Sequence, residues 1–471
     1  VAIAKQVSKY NTLGQEETSY YLLRKILKLT LVLGFIFAAI MYLGAPIQAA
    51  WSGGGDDLIR VMKSLSWAVL LFPSMSVLRG FFQGFNNLKP YAMSQIAEQV
   101  IRVIWMLLTA FMIMKIGSGD YVSAVVQSTF AAFIGMIASV MVLIFFLWKE
   151  GKLQAILSKD TEEIDIDANA IIIETVKEAI PFIITGAAIQ LFQLVDQWSF
   201  INSMKLFTSH SLKELQILYA YLSSNPNKVT MILISLATAI GGAGIPLLTE
   251  NFVNKDKKAA AHLVINSLQM LCMVLLPAMM GAIILAQPLY TLFYGAPNND
   301  ALWLFVVALI QVIFLALYSL LAPMLQALFE NRKAINYFAY GLVVKIVLQV
   351  PFIFLFKAYG PLLSTAIGLM IPIILMFNQI HAVTQFNRKA LWRGILLVCI
   401  LTAIMGIVVA LGTFGLHFII SPTTRLGSVI YLVLMGTFGV AVYGFLALAT
   451  HLLDKLIGNK AKTLRKKLHL E

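Results

Sequence analysis

The sequence predicts an all-α polytopic membrane protein built from two related helical lobes. Three observations carry that expectation. Twelve apolar stretches run along the chain, each near the length of about 20 residues that a helix needs to cross hydrocarbon. Of its 471 residues 60% are hydrophobic and only 12% charged, against about 25% charged in a soluble globular domain. A few charges nevertheless sit inside the apolar stretches, where they are costly and usually mark a transport path. A polytopic transporter fits these facts and a soluble enzyme does not.

The expected spans are 26–43, 64–83, 92–114, 121–147, 178–201, 229–249, 263–286, 301–327, 334–356, 361–383, 394–420 and 427–449. An even number puts both ends of the chain on one side. Basic residues set the direction. With residue 1 on the cytoplasmic side, the loops of that side hold 22 Lys and Arg. The opposite loops, with Arg60, Lys63, Lys115, Lys205, Lys213, Lys357 and Arg425, hold about a third as many, an asymmetry that orients short loops. The net charge of +13 then reflects inner loops facing anionic lipid, not nucleic acid. The basic tail KAKTLRKKLHLE is expected at the inner headgroups, as a topology determinant before any specific lipid contact. VAIAKQVSKYN at the start has no basic segment ahead of an apolar core, so it is no signal peptide. It reads as a cytoplasmic tail with more chain upstream.

The two halves repeat. Pro46, Trp51 and Gly53 match Pro288, Phe293 and Gly295; Ser76-Val77-Leu78 with Gln83 match Ser319-Leu320-Leu321 with Gln326; Phe85 and Lys89 match Phe329 and Lys333, all at offsets of 242 to 244. Arg102 falls opposite Lys345. Both copies enter from the cytoplasm, so the repeat is parallel, about an axis along the membrane normal. Spans 178–201 and 229–249 precede the second copy and have no counterpart before the first. Two N-terminal spans of an expected 14 are therefore inferred to be missing from the chain as given. The organisation expected is an incomplete N-terminal lobe of four spans at 1–150, a cytoplasmic linker at 151–175, a six-span C-terminal lobe at 176–385, and an additional helix pair with the basic tail at 386–471. The acidic cluster from Asp160 to Asp167 has no His or Cys beside it and reads as solvated linker, not as a metal site. Cys272 and Cys399 lie inside apolar spans as small core residues, and two cysteines make no disulfide framework.

Arg79, Glu98, Arg102, Asp196 and Lys345 lie within spans. Facing lipid at mid-bilayer, each would cost about 2.5–3.5 kcal/mol, so they are expected to face a cavity or one another. Gln95, Gln99 and Arg102 fall at i, i+4 and i+7 on one helical face. Glu98 and Arg102 are spaced i, i+4 and can pair. Lys345 and Gln349 repeat that spacing, and Gln190, Gln193, Asp196 and Gln197 form another polar stripe. One reading makes Glu98–Arg102 a buried structural pair. The other makes Arg79, Arg102, Lys345, Gln95, Gln99, Gln190, Gln193 and Gln349 the lining of a cationic cavity between lobes. There Arg would match phosphate oxygens, and Gln would suit sugar hydroxyls and amides. Asp196 is the candidate coupling-ion or proton site, with Glu98 as a coupling or ion-pair residue. Gly80 and Gly84 suit close helix packing. Pro73, Pro181, Pro277, Pro323, Pro351, Pro372 and the GGAGIP segment at 241–246 mark kinks or hinges. There is no GxxxxGK[ST], HExxH or serine elbow, so neither an enzyme nor a built-in ATPase is expected, and no cofactor.

The two lobes, the further helix pair, the SVLRGFFQG segment and the start VAIAKQVSKYNTLG together resemble the polysaccharide transporters of the multidrug/oligosaccharidyl-lipid/polysaccharide exporter superfamily. The branch is that of the SpoVB-like and YtgP-like proteins of Gram-positive bacteria, related to MurJ flippases. The resemblance covers essentially the whole chain, and LRGFFQG is its most specific part. It implies alternating-access flipping of a lipid-linked wall precursor, lipid II above all, in the bacterial cytoplasmic membrane with the C-terminus inside. It implies a cationic cavity to which Arg79 contributes, and a lipid-tail groove on the last two helices. The family's first helix, which supplies further cavity arginines, has no match here. Implied partners are the lipid-linked oligosaccharide, membrane lipids and cell-wall synthesis proteins, with no nucleic acid. The competing class is a cation-coupled exporter of drugs or metabolites, which would favour acidic sites; a scaffold without transport is the third.

Overall fold

The computed structural model describes residues 14–85, 87–157, 183–418 and 420–453, with Ile3, Val7, Ile173, Lys177, Ile180 and Pro181 as isolated positions. The acidic cluster, the basic tail and the start of span 178–201 lie outside these residues. Among the described residues there are helices and no strand. The major helices are α1 (Glu16–Ser52), α2 (Gly55–Gly84), α3 (Leu88–Phe111), α4 (Tyr121–Lys149), α5 (Lys152–Leu157), α6 (Ala188–Phe207), α7 (Leu212–Tyr219), α8 (Asn225–Val253), α9 (Lys257–Ile284), α10 (Ala286–Tyr294), α11 (Asn299–Ala327), α12 (Asn331–Phe356), α13 (Gly360–Thr384), α14 (Arg388–His417) and α15 (Arg425–Ala449). Nine stretches among the described residues are long and apolar enough to cross a membrane. One of them, Asn331–Thr384, holds both α12 and α13, joined by a 3₁₀ turn at Lys357–Tyr359.

Helix starts follow local chemistry. Asp120, Asn298, Asn387 and Thr424 each accept a hydrogen bond from a backbone N–H in the first turn they precede, which satisfies a donor the helix leaves orphaned. The short α7 is held by a capping box of Ser211 and Glu214. Those contacts hold the Glu214 carboxyl below the ordinary range. Its support is complete above that range and is lost as pH falls through the lower folded value. Pro46, Pro73, Pro277, Pro323, Pro351 and Pro372 lie inside helices that continue through them.

The chain divides into two compact units, Val1–Phe182 and Ile183–Glu471. In the first, α1 pairs with α2, and α4 packs on both α2 and α3. Leu22, Leu23, Ile26, Met75, Phe81, Phe82, Leu143 and Leu147 form its core. Gly135 makes the α3–α4 crossing close: a Cβ there would stand 2.7 Å from the Glu98 carbonyl oxygen and 3.1 Å from the Arg102 Cβ. In the second unit α8 packs on α11, α12 on α13, and α9 on α14, which pairs with α15. Here Gly368 plays the same part, since its Cβ would meet Phe192 at 2.9 Å and the Lys345 Cβ at 3.0 Å.

Gly135→Ala is expected to destabilise the protein by about 1–3 kcal/mol through overpacking. Gly415→Ala, where a Cβ meets nothing within 4 Å, should instead raise stability by about 0.5–1 kcal/mol. Thermal unfolding in detergent separates the two, and equal responses would contradict the close crossing at Gly135.

Candidate functional site

In the first unit three helices converge on Arg79. Its Nη2 donates to Glu98 Oε2 at 2.8 Å and to Ser139 Oγ at 2.9 Å, and its Nε donates to Ser94 Oγ at 3.0 Å. The guanidinium also lies over the Tyr91 ring, 5.9 Å from the centroid. Ser94 and Ser139 are fully buried, and only 12% and 10% of the Arg79 and Glu98 side chains remain exposed. Spacing explains the assembly. Ser94 and Glu98 are one turn apart on α3, and Ser139 is one turn beyond Gly135 on α4. The glycine brings the helices close enough for the serine to reach the arginine. Glu98 therefore pairs with Arg79 on α2 and not with Arg102, the local partner its spacing allows. An i, i+4 pair contributes only about 0.2–0.5 kcal/mol, whereas a fork of guanidinium donors can satisfy a carboxylate and two hydroxyls at once.

In the second unit Lys345 is fully buried. Its Nζ donates to Asp196 Oδ1 at 2.5 Å, Thr365 Oγ1 at 2.5 Å, the Pro361 carbonyl at 3.1 Å and Ser364 Oγ at 3.2 Å. Gln349 braces these groups. Its Nε2 donates to Asp196 Oδ1 and Ser199 Oγ, both at 2.9 Å, and its Oε1 accepts from Ser364 Oγ at 2.6 Å. Arg79, Asp196 and Lys345 have no nearby partner in sequence, yet each has one in space, 19 or 149 residues away. The partner hydroxyls of Ser94, Ser139, Ser199, Ser364 and Thr365 escape sequence reasoning, because serine and threonine are common on spans and carry no charge.

The remaining predicted residues stand differently. Arg102 Nη2 donates to Gln99 Oε1 at 2.6 Å, and Gln95 Nε2 donates to the Tyr91 hydroxyl at 3.1 Å. Gln95 and Gln99 are exposed and Arg102 is half-buried. Among the described residues Arg102 makes no ion pair with a carboxylate. Gln193 reaches Asn227 at 3.5 Å, and Gln190 is exposed. Arg102 and Lys345, aligned by the repeat, thus sit in unlike surroundings.

A third feature is apolar. Helices α9, α14 and α15 line a groove of about 560 Å³ in the second unit. Met273, Pro277, Met405, Val409, Met435 and Gly439 form much of its wall, and Tyr443 brings the one side-chain hydroxyl. That hydroxyl donates to the Met273 carbonyl at 2.8 Å. The wall therefore offers apolar surface and almost no hydrogen bonding.

Arg79→Met alone leaves Glu98 buried without its counter-charge and is expected to cost about 3–5 kcal/mol. Arg79→Met with Glu98→Leu should recover most of that loss. Unfolding of the two single variants and the double variant measures it; a double variant as unstable as the sum of the singles would show that the pair is not coupled.

The polysaccharide biosynthesis protein family model matches residues 1–252. The lipid II flippase MurJ of Bacillus subtilis is 33% identical over 476 residues, covering 98% of this chain and 86% of that protein. Among solved structures, a lipid II flippase MurJ in an inward closed conformation aligns with a TM-score of 0.65 at 14% identity, over 97% of this chain and 90% of that one. An inward-facing multidrug resistance MATE family transporter aligns with a TM-score of 0.64 at 14% identity, over 82% and 86%. These two likenesses are of fold. The match across more than half the chain and the identity across nearly all of it show that this multi-pass membrane protein belongs to the polysaccharide biosynthesis protein family, among its MurJ-like members.

Proposed function

We propose that this protein moves a lipid-linked cell-wall precursor, of the lipid II kind, across the bacterial cytoplasmic membrane by alternating access, with its C-terminal end in the cytoplasm. Cell-wall synthesis proteins would supply and consume such a substrate. The observation that carries this reading is a charge balance. Of the three cations expected in the transport path, Arg79 and Lys345 are each neutralised inside their own unit by Glu98 and Asp196. Arg102 instead hydrogen-bonds a neutral side-chain amide and pairs with no carboxylate among the described residues. We assign Arg102, with Gln95 and Gln99 on the same face, to the anionic headgroup, since a guanidinium matches phosphate oxygens in pairs. The apolar groove on α9, α14 and α15 suits the hydrocarbon chain of the same substrate. The cation-exporter alternative needs a lone acid, and Asp196 already carries a lysine.

Surface accessibility of lipid II to a membrane-impermeant probe, in cells depleted of their own flippase and re-supplied with this protein, tests the reading. Arg102→Ala is expected to abolish the recovery, and Arg102→Lys to restore part of it. Gly436 lines the groove, and a Cβ there meets nothing within 4 Å, so Gly436→Leu adds its side chain from an open position and narrows the groove. Displacing two methylenes of a bound chain costs about 1.6 kcal/mol, roughly a tenfold loss of affinity. Full recovery with Arg102→Ala at normal expression would remove Arg102 from substrate binding. Drug efflux with no change in precursor accessibility would favour the exporter.

A further inference from the structure

Helix α9 carries a proline in its interior, and a tyrosine of another helix repairs the defect. Pro277 has no N–H, so the Met273 carbonyl four residues before it loses its helical hydrogen bond. Within hydrocarbon no water replaces that donor, and a neighbouring side chain has to. Tyr443 on α15 does so: its hydroxyl donates to the Met273 carbonyl at 2.8 Å. The carbonyls that Pro46, Pro73, Pro323, Pro351 and Pro372 leave open in the same way receive no side-chain hydrogen bond among the described residues. The repair is particular to this kink. It also lies in the wall of the apolar groove, since Met273, Pro277 and Tyr443 all line it.

The attachments of α9 change at the same point. On the side of the helix start, Gln269 is buried and its amide donates to the Ala390 and Leu391 carbonyls of α14 at 3.0 and 3.3 Å. Gly394 leaves the room for that side chain. Beyond the kink, α9 faces the groove with Ala278, Gly281 and Ala282, which have no side-chain donor or acceptor. A Cβ at Gly281 would meet nothing within 4 Å. Helix α15 packs chiefly on α14 and α10, and the Tyr443 hydroxyl ties it to α9.

We propose that Tyr443 is the positioning residue of the groove. By capping the carbonyl that Pro277 leaves open, it couples the bend of α9 to the place of α15, so the two walls part or close together. Gln269 holds the first half of α9 against α14, and the half beyond Pro277 is the wall that swings. With the hydroxyl bonded, the groove keeps its width; with the hydroxyl released, α9 hinges at Pro277 independently of α15. This inference concerns the mechanics of the groove. It goes beyond the assignment of substrate and holds whatever apolar molecule the groove takes.

The test is hydrogen exchange, read by mass spectrometry on the purified full chain in detergent. It compares the unsubstituted protein, Tyr443→Phe, Pro277→Ala and the double variant. Phe keeps the ring and removes one oxygen; Ala returns the N–H that the Met273 carbonyl lacks. In Tyr443→Phe the amides of 278–281 on α9 and of 439–447 on α15 should exchange together about tenfold faster, because a buried carbonyl is left without a donor. Those of α11 should keep their rates. In the Pro277→Ala background the same loss of the hydroxyl should change exchange by less than about twofold, since the carbonyl keeps a backbone partner. Unchanged rates in Tyr443→Phe would overturn the proposal. So would faster exchange on α9 alone, because the hydroxyl then caps a carbonyl without tying two helices. Equal acceleration in every helix, α11 included, is a general loss of stability and also overturns it, as does an acceleration of the same size with and without Pro277. If Tyr443→Phe fails to fold, the double variant decides: folding restored by Pro277→Ala supports the repair, and no restoration overturns it.

Discussion

A charge buried within a span is costly unless it is paired, and the pairing of Arg79 and of Lys345 organises both units. Each unit has such a pair ringed by hydroxyls. Arg79 and Glu98 share Ser94 and Ser139; Lys345 and Asp196 share Ser364 and Thr365. Neither ring closes unless two helices come unusually close, and in both units a glycine permits it: Gly135 on α4 and Gly368 on α13. Hydrophobic contact alone does not hold helices together in lipid, where tails are as apolar as leucine. Small residues and polar contacts take over that role, and here they coincide at the same crossings.

The pairing also sorts the charges by use. A cation whose donors are already engaged by a carboxylate and hydroxyls attracts an anionic ligand weakly. On the reading proposed above, Arg79 and Lys345 are internal ties, each bonded to a carboxylate of its own unit. Arg102, bonded to the amide of Gln99, keeps its charge uncompensated by any carboxylate among the described residues. The repeat read in the sequence aligns Arg102 with Lys345, and the two differ in surroundings: in one unit the cation is enclosed in oxygens, in the other it retains partial exposure.

Most of the apolar spans, and the charges placed within them, were legible in the sequence. Apolar runs show where helices lie, and charges inside them are too costly to be incidental. LRGFFQG and the repeat pointed to the right family. The partners were not legible. Local spacing favours Glu98 with Arg102, but the contact that forms joins α2 to α3, and only the crossing of α2, α3 and α4 reveals it. Likewise Asp196 and Lys345 are 149 residues apart. The two appear separately as unpaired charges until α6 and α12 are seen side by side. Ser139 and Thr365 are hidden for a different reason: a hydroxyl on an apolar helix bonds its own backbone so often that its presence carries no information.

On the proposed reading, the groove separates two kinds of recognition that a lipid-borne substrate requires. Its wall is built from methionines and glycines, Met273, Met405 and Met435 with Gly436, Gly439 and Gly444. Glycines create the hollow and methionines adapt to what fills it, because the thioether chain is unbranched and flexible. Tyr443, the one hydroxyl in the wall, is committed to the Met273 carbonyl. Such a surface takes a hydrocarbon chain of almost any conformation and distinguishes little beyond its apolar character. Discrimination among substrates then has to come from the headgroup, through polar residues elsewhere. A transporter divided in this way tolerates changes in the groove that preserve its width. On the proposed reading it is sensitive to a change at Arg102, which bonds a neutral side-chain amide.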